Sequence, residues 1–228
     1  MNRLNIVTTC SLALADALLG HSISGTVKGV DGSVVNAGLV TATLRSAPVS
    51  RRRGTTSVQA SILPDGSFSL PSLSSGVYQI CTQTPRTIWL NSCEWGSHGT
   101  TASISPDQPS AQVHIALAKG EVLTIRVNDA RQYLNAHEGI TAGAHVLLGI
   151  HTGLGPFRQA WVASSDAAGR TYQLLLPYDR PLSVMVSSGF FQLTDSTGKP
   201  IPSLGSAIPV FVASGQHAPV IVLNVTGT

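Results

Sequence analysis

Pro64-Asp65-Gly66-Ser67-Phe68-Ser69-Leu70, then Leu73-Ser74-Ser75-Gly76-Val77-Tyr78-Gln79-Ile80, is the stretch that decides the fold. Asp-Gly is turn chemistry: the carboxylate can accept from its own turn, and glycine tolerates positive φ. After it, polar and apolar residues alternate, so Phe68 and Leu70 point to one face of a strand. Ser75-Gly76 makes the next turn, and Val77 to Ile80 alternates again. A hairpin with one apolar face must bury that face against a second sheet.

The same grammar runs along the chain. Helical periodicity is nearly absent. The spacing predicts strands over Ser22–Val27, Leu39–Leu44, Ser57–Leu63, Ser67–Leu70, Val77–Thr82 and Val113–Leu117. It predicts a second set over Val122–Val127, Val146–Ile150, Arg158–Ala163, Thr171–Leu176, Leu182–Ser187, Phe191–Thr194, Val210–Ala213 and Val220–Val225. Turns at Asp31-Gly32, Asp65-Gly66, Ser75-Gly76, Asp166…Gly169 and Thr197-Gly198 separate them. Many short strands at this spacing give a sandwich or barrel.

The two sets read as copies of one unit. Val34-Val35-Asn36-Ala37-Gly38-Leu39, Asp65-Gly66-Ser67-Phe68 and Gly76-Val77-Tyr78 come in the same order as Gly143-Ala144-His145-Val146, Asp166…Gly169-Arg170-Thr171-Tyr172 and Pro181-Leu182-Ser183-Val184. Phe68 would match Tyr172, and Leu70 would match Leu174. The expected architecture is all-β: two tandem antiparallel β-sandwiches after an N-terminal leader. The expected divisions are 1–20, 21–118 and 119–228, with the second sandwich more divergent.

Ile23-Ser24-Gly25-Thr26-Val27, Asp31-Gly32, Val34 to Leu39, Asp65-Gly66-Ser67-Phe68 and Leu73-Ser74-Ser75-Gly76-Val77-Tyr78 together resemble the carboxypeptidase regulatory-like domain. The resemblance covers Ser22 to about Thr82 and implies a transthyretin-like sandwich of the carbohydrate-binding-like fold group. It brings no catalytic residues, because that family carries none. The second unit lacks the Gly-Thr-Val opening and resembles the family more distantly.

Composition bounds the function. Of 228 residues only 11% are charged, and 43% are hydrophobic. Lys+Arg 14 against Asp+Glu 11 gives +3, too few basic residues for a nucleic-acid surface. The one basic cluster, Arg51-Arg52-Arg53, lies between Pro48 and Gly54-Thr55-Thr56. It reads as a solvated loop tip, with an anion or lipopolysaccharide contact as the alternative.

Met1 to Gly20 reads as a secretory signal. Arg3 supplies the positive end, Ile6 to Leu14 is mostly apolar, and Ala13-Leu14-Ala15 and Ala15-Asp16-Ala17 offer small-x-small cleavage sites. The stretch is too short and polar for a stable span. The alternative is a helix packed on the domain. A secreted, periplasmic or envelope location is expected. Of the three cysteines, Cys10 would leave with the signal, so Cys81 and Cys93 remain to pair. Two separate buried thiols are the alternative.

No constellation of residues dictates a reaction. There is no His-Glu-x-x-His, no Gly-x-Ser-x-Gly and no phosphate-binding glycine loop. His137, Glu138, His145 and His151 are the nearest approach to a metal cluster, with His145 and His151 expected to share a strand face. They lack a Cys or Asp partner in register. Asp166 has too few acidic neighbours for calcium. A Lys–Asn isopeptide cross-link, as some bacterial adhesin sandwiches carry, would use Lys28. The strand Tyr78 to Thr82 offers no acid to shuttle its protons. No cofactor, no metal and no catalytic residue are expected.

Trp89 and Trp95 bracket the cysteine in Ile88-Trp89-Leu90-Asn91-Ser92-Cys93-Glu94-Trp95. Loop tryptophans braced by a disulfide suit a sugar-stacking platform. Plugs at the open end of a sandwich or at the seam between two are the preferred reading, since isolated loop aromatics often close core edges. The expected function is a non-catalytic envelope module for recognition or assembly, with carbohydrate or another envelope protein as partner. A structural spacer, or a hydrolase with an unrecognised site, is the alternative.

Overall fold

The computed structural model describes residues 21–46, 57–95, 97–151, 157–203 and 205–228. The leader expected over 1–20 and the Arg51, Arg52 and Arg53 loop lie outside the described residues. Among the described residues no helix is long and apolar enough to cross a membrane.

The first sandwich contains β1 (His21–Gly29), β2 (Leu39–Ser46), β3 (Ser57–Ser61), β4 (Ser67–Leu73), β5 (Gly76–Gln83), β6 (Thr100–Ile104) and β7 (Ser110–Leu117). One sheet has the order β4-β1-β7 and the other β3-β2-β5-β6. Ile23, Val27, Val40, Phe68, Leu70, Tyr78, Ile80 and Ile115 fill the space between them. Each large apolar side chain so buried contributes about 1.5–3 kcal/mol. The chain alternates because only one face of each sheet reaches this core.

The second sandwich contains β8 (Gly120–Asn128), a short helix α1 (Tyr133–His137), β9 (Leu147–His151), β10 (Phe157–Gln159), β11 (Trp161–Asp166), β12 (Gly169–Pro177), β13 (Leu182–Ser187), β14 (Gln192–Asp195), β15 (Pro200–Ile201), β16 (Ser206–Val210) and β17 (Val220–Gly227). Its sheets run β11-β12-β8-β17-β14-β15 and β10-β9-β13-β16. The inner triplet β12-β8-β17 repeats β4-β1-β7, and β10-β9-β13-β16 repeats β3-β2-β5-β6. The internal repeat is therefore topological. The second copy has added β11 at one edge of its first sheet and β14–β15 at the other.

Neither sandwich is wholly antiparallel. β1 pairs with β7 in parallel, and β8 pairs with β17 in parallel. In both copies the first and last strands lie side by side, so each sandwich closes on its own ends. Register also accounts for the missing opening motif. Phe68 lies opposite Gly25, and Tyr172 lies opposite Ile125. Gly25 and Ile125 are thus equivalent positions. A Cβ on Gly25 would meet the Val113 carbonyl oxygen at 1.9 Å, so the first copy requires glycine there. In the second copy Ile125 is fully buried instead.

Two predicted strands have other boundaries than the sequence suggests, and three elements go unread. Arg158–Ala163 is not one strand: β10 and β11 belong to different sheets, and the chain crosses between them at buried Ala160. The last strand before β17 is Ser206–Val210 rather than Val210–Ala213; it is an edge strand, where Pro209 needs no ladder donor. β6, β15 and α1 were not read at all. The helix starts where the buried Asp129 carboxylate accepts from the Tyr133 amide at 2.9 Å and the Leu134 amide at 2.7 Å.

Candidate functional site

The link between the sandwiches is short: β7 ends at Leu117 and β8 begins at Gly120. The excursion from Thr84 to Gly99, between β5 and β6, is built around that link. The Leu90 amide donates to the Ala118 carbonyl at 2.9 Å, and the Gly120 amide donates to the Ile88 carbonyl at 2.8 Å. Trp89 is 9% exposed and belongs to the first core. The Lys119 ammonium lies 5.3 Å from the centre of its ring and 2.8 Å from an Asp31 carboxylate oxygen. That Lys119 contact, helped by Ser33, holds the Asp31 carboxyl well below the usual carboxylate range.

Cys81 on β5 and Cys93 in the excursion form a disulfide, with Cα atoms 5.3 Å apart. A cross-link closing so short a loop stabilises by about 3 kcal/mol in the chain-entropy description. Asn91 adds local order. Its side-chain oxygen accepts from the Thr84 amide at 3.1 Å, and its amide nitrogen donates to Glu94 at 2.9 Å.

From this base the excursion reaches the second sandwich. The Arg158 Nε donates to Glu94 at 2.6 Å, and a second guanidinium nitrogen contacts the same carboxylate. Arg180 donates to the Trp95 carbonyl. The Trp95 ring packs against the second core. Trp89 and Trp95 therefore divide between the two cores, six residues apart on one cross-linked loop.

Beside this seam is a cleft of about 250 Å³, lined from the first sandwich by Gln83, Pro85, Arg86 and the two tryptophans, and from the second by Arg158, Gln159, Trp161 and Leu174. The chain has three tryptophans, and all three line this cleft. The sequence reading found two. Trp161 was missed because nothing local marks it; it enters the cleft only through the sheet crossing at Ala160. Two cleft residues, Arg86 (φ 57°) and Trp95 (φ 58°), hold left-handed backbone, which bulky residues rarely adopt.

The histidines are not gathered. His145 precedes β9 rather than sharing a strand face with His151. The His137 ring packs on Phe190 with centroids 5.1 Å apart, and Glu138 pairs with Arg170. Among the described residues no group of three potential ligands could hold a metal. Most carboxylates have structural work. Asp65, Asp179 and Asp195 accept from hydroxyls and amides of their loop partners, which lowers each below its ordinary range. The Arg126 guanidinium and the Ala168 amide do the same for Asp166. A His217 ring nitrogen and the Tyr178 hydroxyl, both bonded to Glu121, lower it likewise.

No protein-family model matches the chain, that of the carboxypeptidase regulatory-like domain included. No curated protein matches it either. Among solved structures it is similar to a streptococcal ancillary pilin, at 10% identity and a TM-score of 0.44, over 92% of this chain and 63% of that one. It is similar to the minor pilin GBS52 of Streptococcus agalactiae, at 10% identity and a TM-score of 0.40, over 91% and 97% of the two chains. It is also similar to the shaft pilin SpaA of Lactobacillus rhamnosus GG, at 12% identity and a TM-score of 0.35, over 92% and 99%. The chain spans less than two thirds of the first of these. These are distant likenesses, and the functional reading does not rest on them.

Proposed function

We propose that this chain is an exported, non-catalytic module of the cell envelope that recognises or assembles with a partner through the seam between its two sandwiches. The leader would be 1–20, and the sandwiches 21–118 and 119–228. The Cys81–Cys93 disulfide carries the reading. A structural disulfide belongs to an oxidising compartment, and this one braces the loop that lines the cleft. The carboxylates support the non-catalytic part: most are engaged in turns, caps and ion pairs rather than converging on a pocket, and active sites concentrate such groups.

The proposed ligand at the cleft is a saccharide. Trp89 cannot serve as an open platform, since its ring is buried under Lys119. Trp95 and Trp161 are half-buried at the cleft, with the side-chain amides of Gln83 and Gln159 at the rim. Indole faces with planar amides fit the apolar face and the hydroxyls of a sugar ring.

Expression of the full chain in an export-competent host, followed by N-terminal sequencing and thiol counting, tests the module reading. The expected mature protein starts between about Asp16 and His21 and has no alkylatable cysteine. Intact Met1 with Cys81 and Cys93 both alkylated would overturn it.

A further inference from the structure

The geometry points to an acidic saccharide, one carrying a carboxylate, as the ligand of the tryptophan cleft, with Arg86 as the residue that reads its charge. This deepens the saccharide reading above and rests on it.

The cleft is lined by two cations, Arg86 and Arg158, and one anion, Glu94. Arg158 and Glu94 neutralise each other. Arg86 is exposed, and among the described residues no carboxylate or side-chain acceptor engages it. The cleft therefore carries one uncompensated guanidinium beside two half-buried indoles. A guanidinium presents a planar fork that matches a carboxylate with two parallel hydrogen bonds.

Backbone conformation is the second observation. Arg86 sits in left-handed backbone at the apex of Thr84–Thr87, where the Thr87 hydroxyl donates to the Thr84 carbonyl at 2.9 Å. The following Trp89 amide donates to the same Thr87 hydroxyl at 3.1 Å. Left-handed backbone at a bulky residue is costly, and such positions gather where function requires a side chain. Trp95, which also lines the cleft, is held in the same backbone region. The third observation is the pair Gln83 and Gln159, whose side-chain amides make no hydrogen bond among the described residues. Each can both donate to and accept from ring hydroxyls.

The test uses the chain's own tryptophans. All three line the cleft, so intrinsic fluorescence reports this site. The disulfide-intact protein is titrated with matched oligomers of galacturonate, glucuronate and mannuronate, with their neutral methyl esters, and with a tetraglutamate peptide. At least one uronate should change the emission saturably, with its ester weaker by about tenfold. Arg86→Gln should abolish the preference for the uronate over its ester. Because Arg86 is exposed, the variant should keep the wild-type thermal midpoint. Equal binding of acid and ester, or no effect of Arg86→Gln, overturns the acidic class and leaves the saccharide reading standing. Silence from every sugar overturns both, and a response to tetraglutamate alone moves the site to acidic peptides and overturns both as well.

Discussion

The two sandwiches carry different insertions at the same topological position. Between β5 and β6 the first carries the tryptophan excursion, which leaves its own sheets, forms no further strand and ends against the second sandwich. Between β13 and β16 the second carries β14 and β15, which fold back and extend its own sheet beside β17. Phe191 and Leu193 from that insertion are buried in their own core. Strand pairing gives the second insertion a ladder of backbone hydrogen bonds. The first has a single bridge, between Trp89 and Lys119, and relies besides on a disulfide, a buried indole and the Glu94–Arg158 ion pair. An insertion that serves a seam must be stiffened by other means than the sheet, and the residue types differ accordingly.

The largest test of that contrast is Trp89→Ala. Removing a buried indole that ties the excursion to the first core should cost about 3–5 kcal/mol in urea unfolding. A cost under about 1 kcal/mol would mean that the excursion is not anchored there. Next comes Cys81→Ala with Cys93→Ala, expected to cost about 3 kcal/mol. Amide hydrogen exchange should then speed up across 84–95 while 188–203 keeps its protection. Equal loosening of the two insertions would break the contrast.

Much of this fold was legible in the sequence because alternation and turn chemistry are local. Phe68, Leu70, Tyr172 and Leu174 were read as equivalent inward positions, and the register places all four so. Parallel pairing of the first and last strands was not legible, since it depends on contacts nearly a hundred residues apart. β6 escaped because Thr100–Ile104 offers only Ala102 and Ile104 to the core, too few for a pattern. Of the site, the cross-link and two tryptophans could be read from spacing. Trp161, Arg158 and the cleft itself could not, because they reach the seam from the second sandwich through tertiary packing. The glycine motif of the first copy was legible as a motif. Its replacement by Ile125 is intelligible only once the Val113 carbonyl is seen pressing on Gly25.

The excursion grips the second sandwich, and the Glu94–Arg158 contact is where that grip is most open to measurement. Glu94 is 11% exposed and Arg158 35% exposed, and their atoms meet across the seam. A double-mutant cycle of Glu94→Gln and Arg158→Gln, read by equilibrium unfolding of the disulfide-intact protein, isolates the interaction from other effects of each change. The expected coupling energy is about 1 kcal/mol in favour of the pair, appropriate to a half-buried ion pair. Costs that add to within about 0.3 kcal/mol would contradict the account, because the two side chains would then be neighbours without holding the sandwiches together.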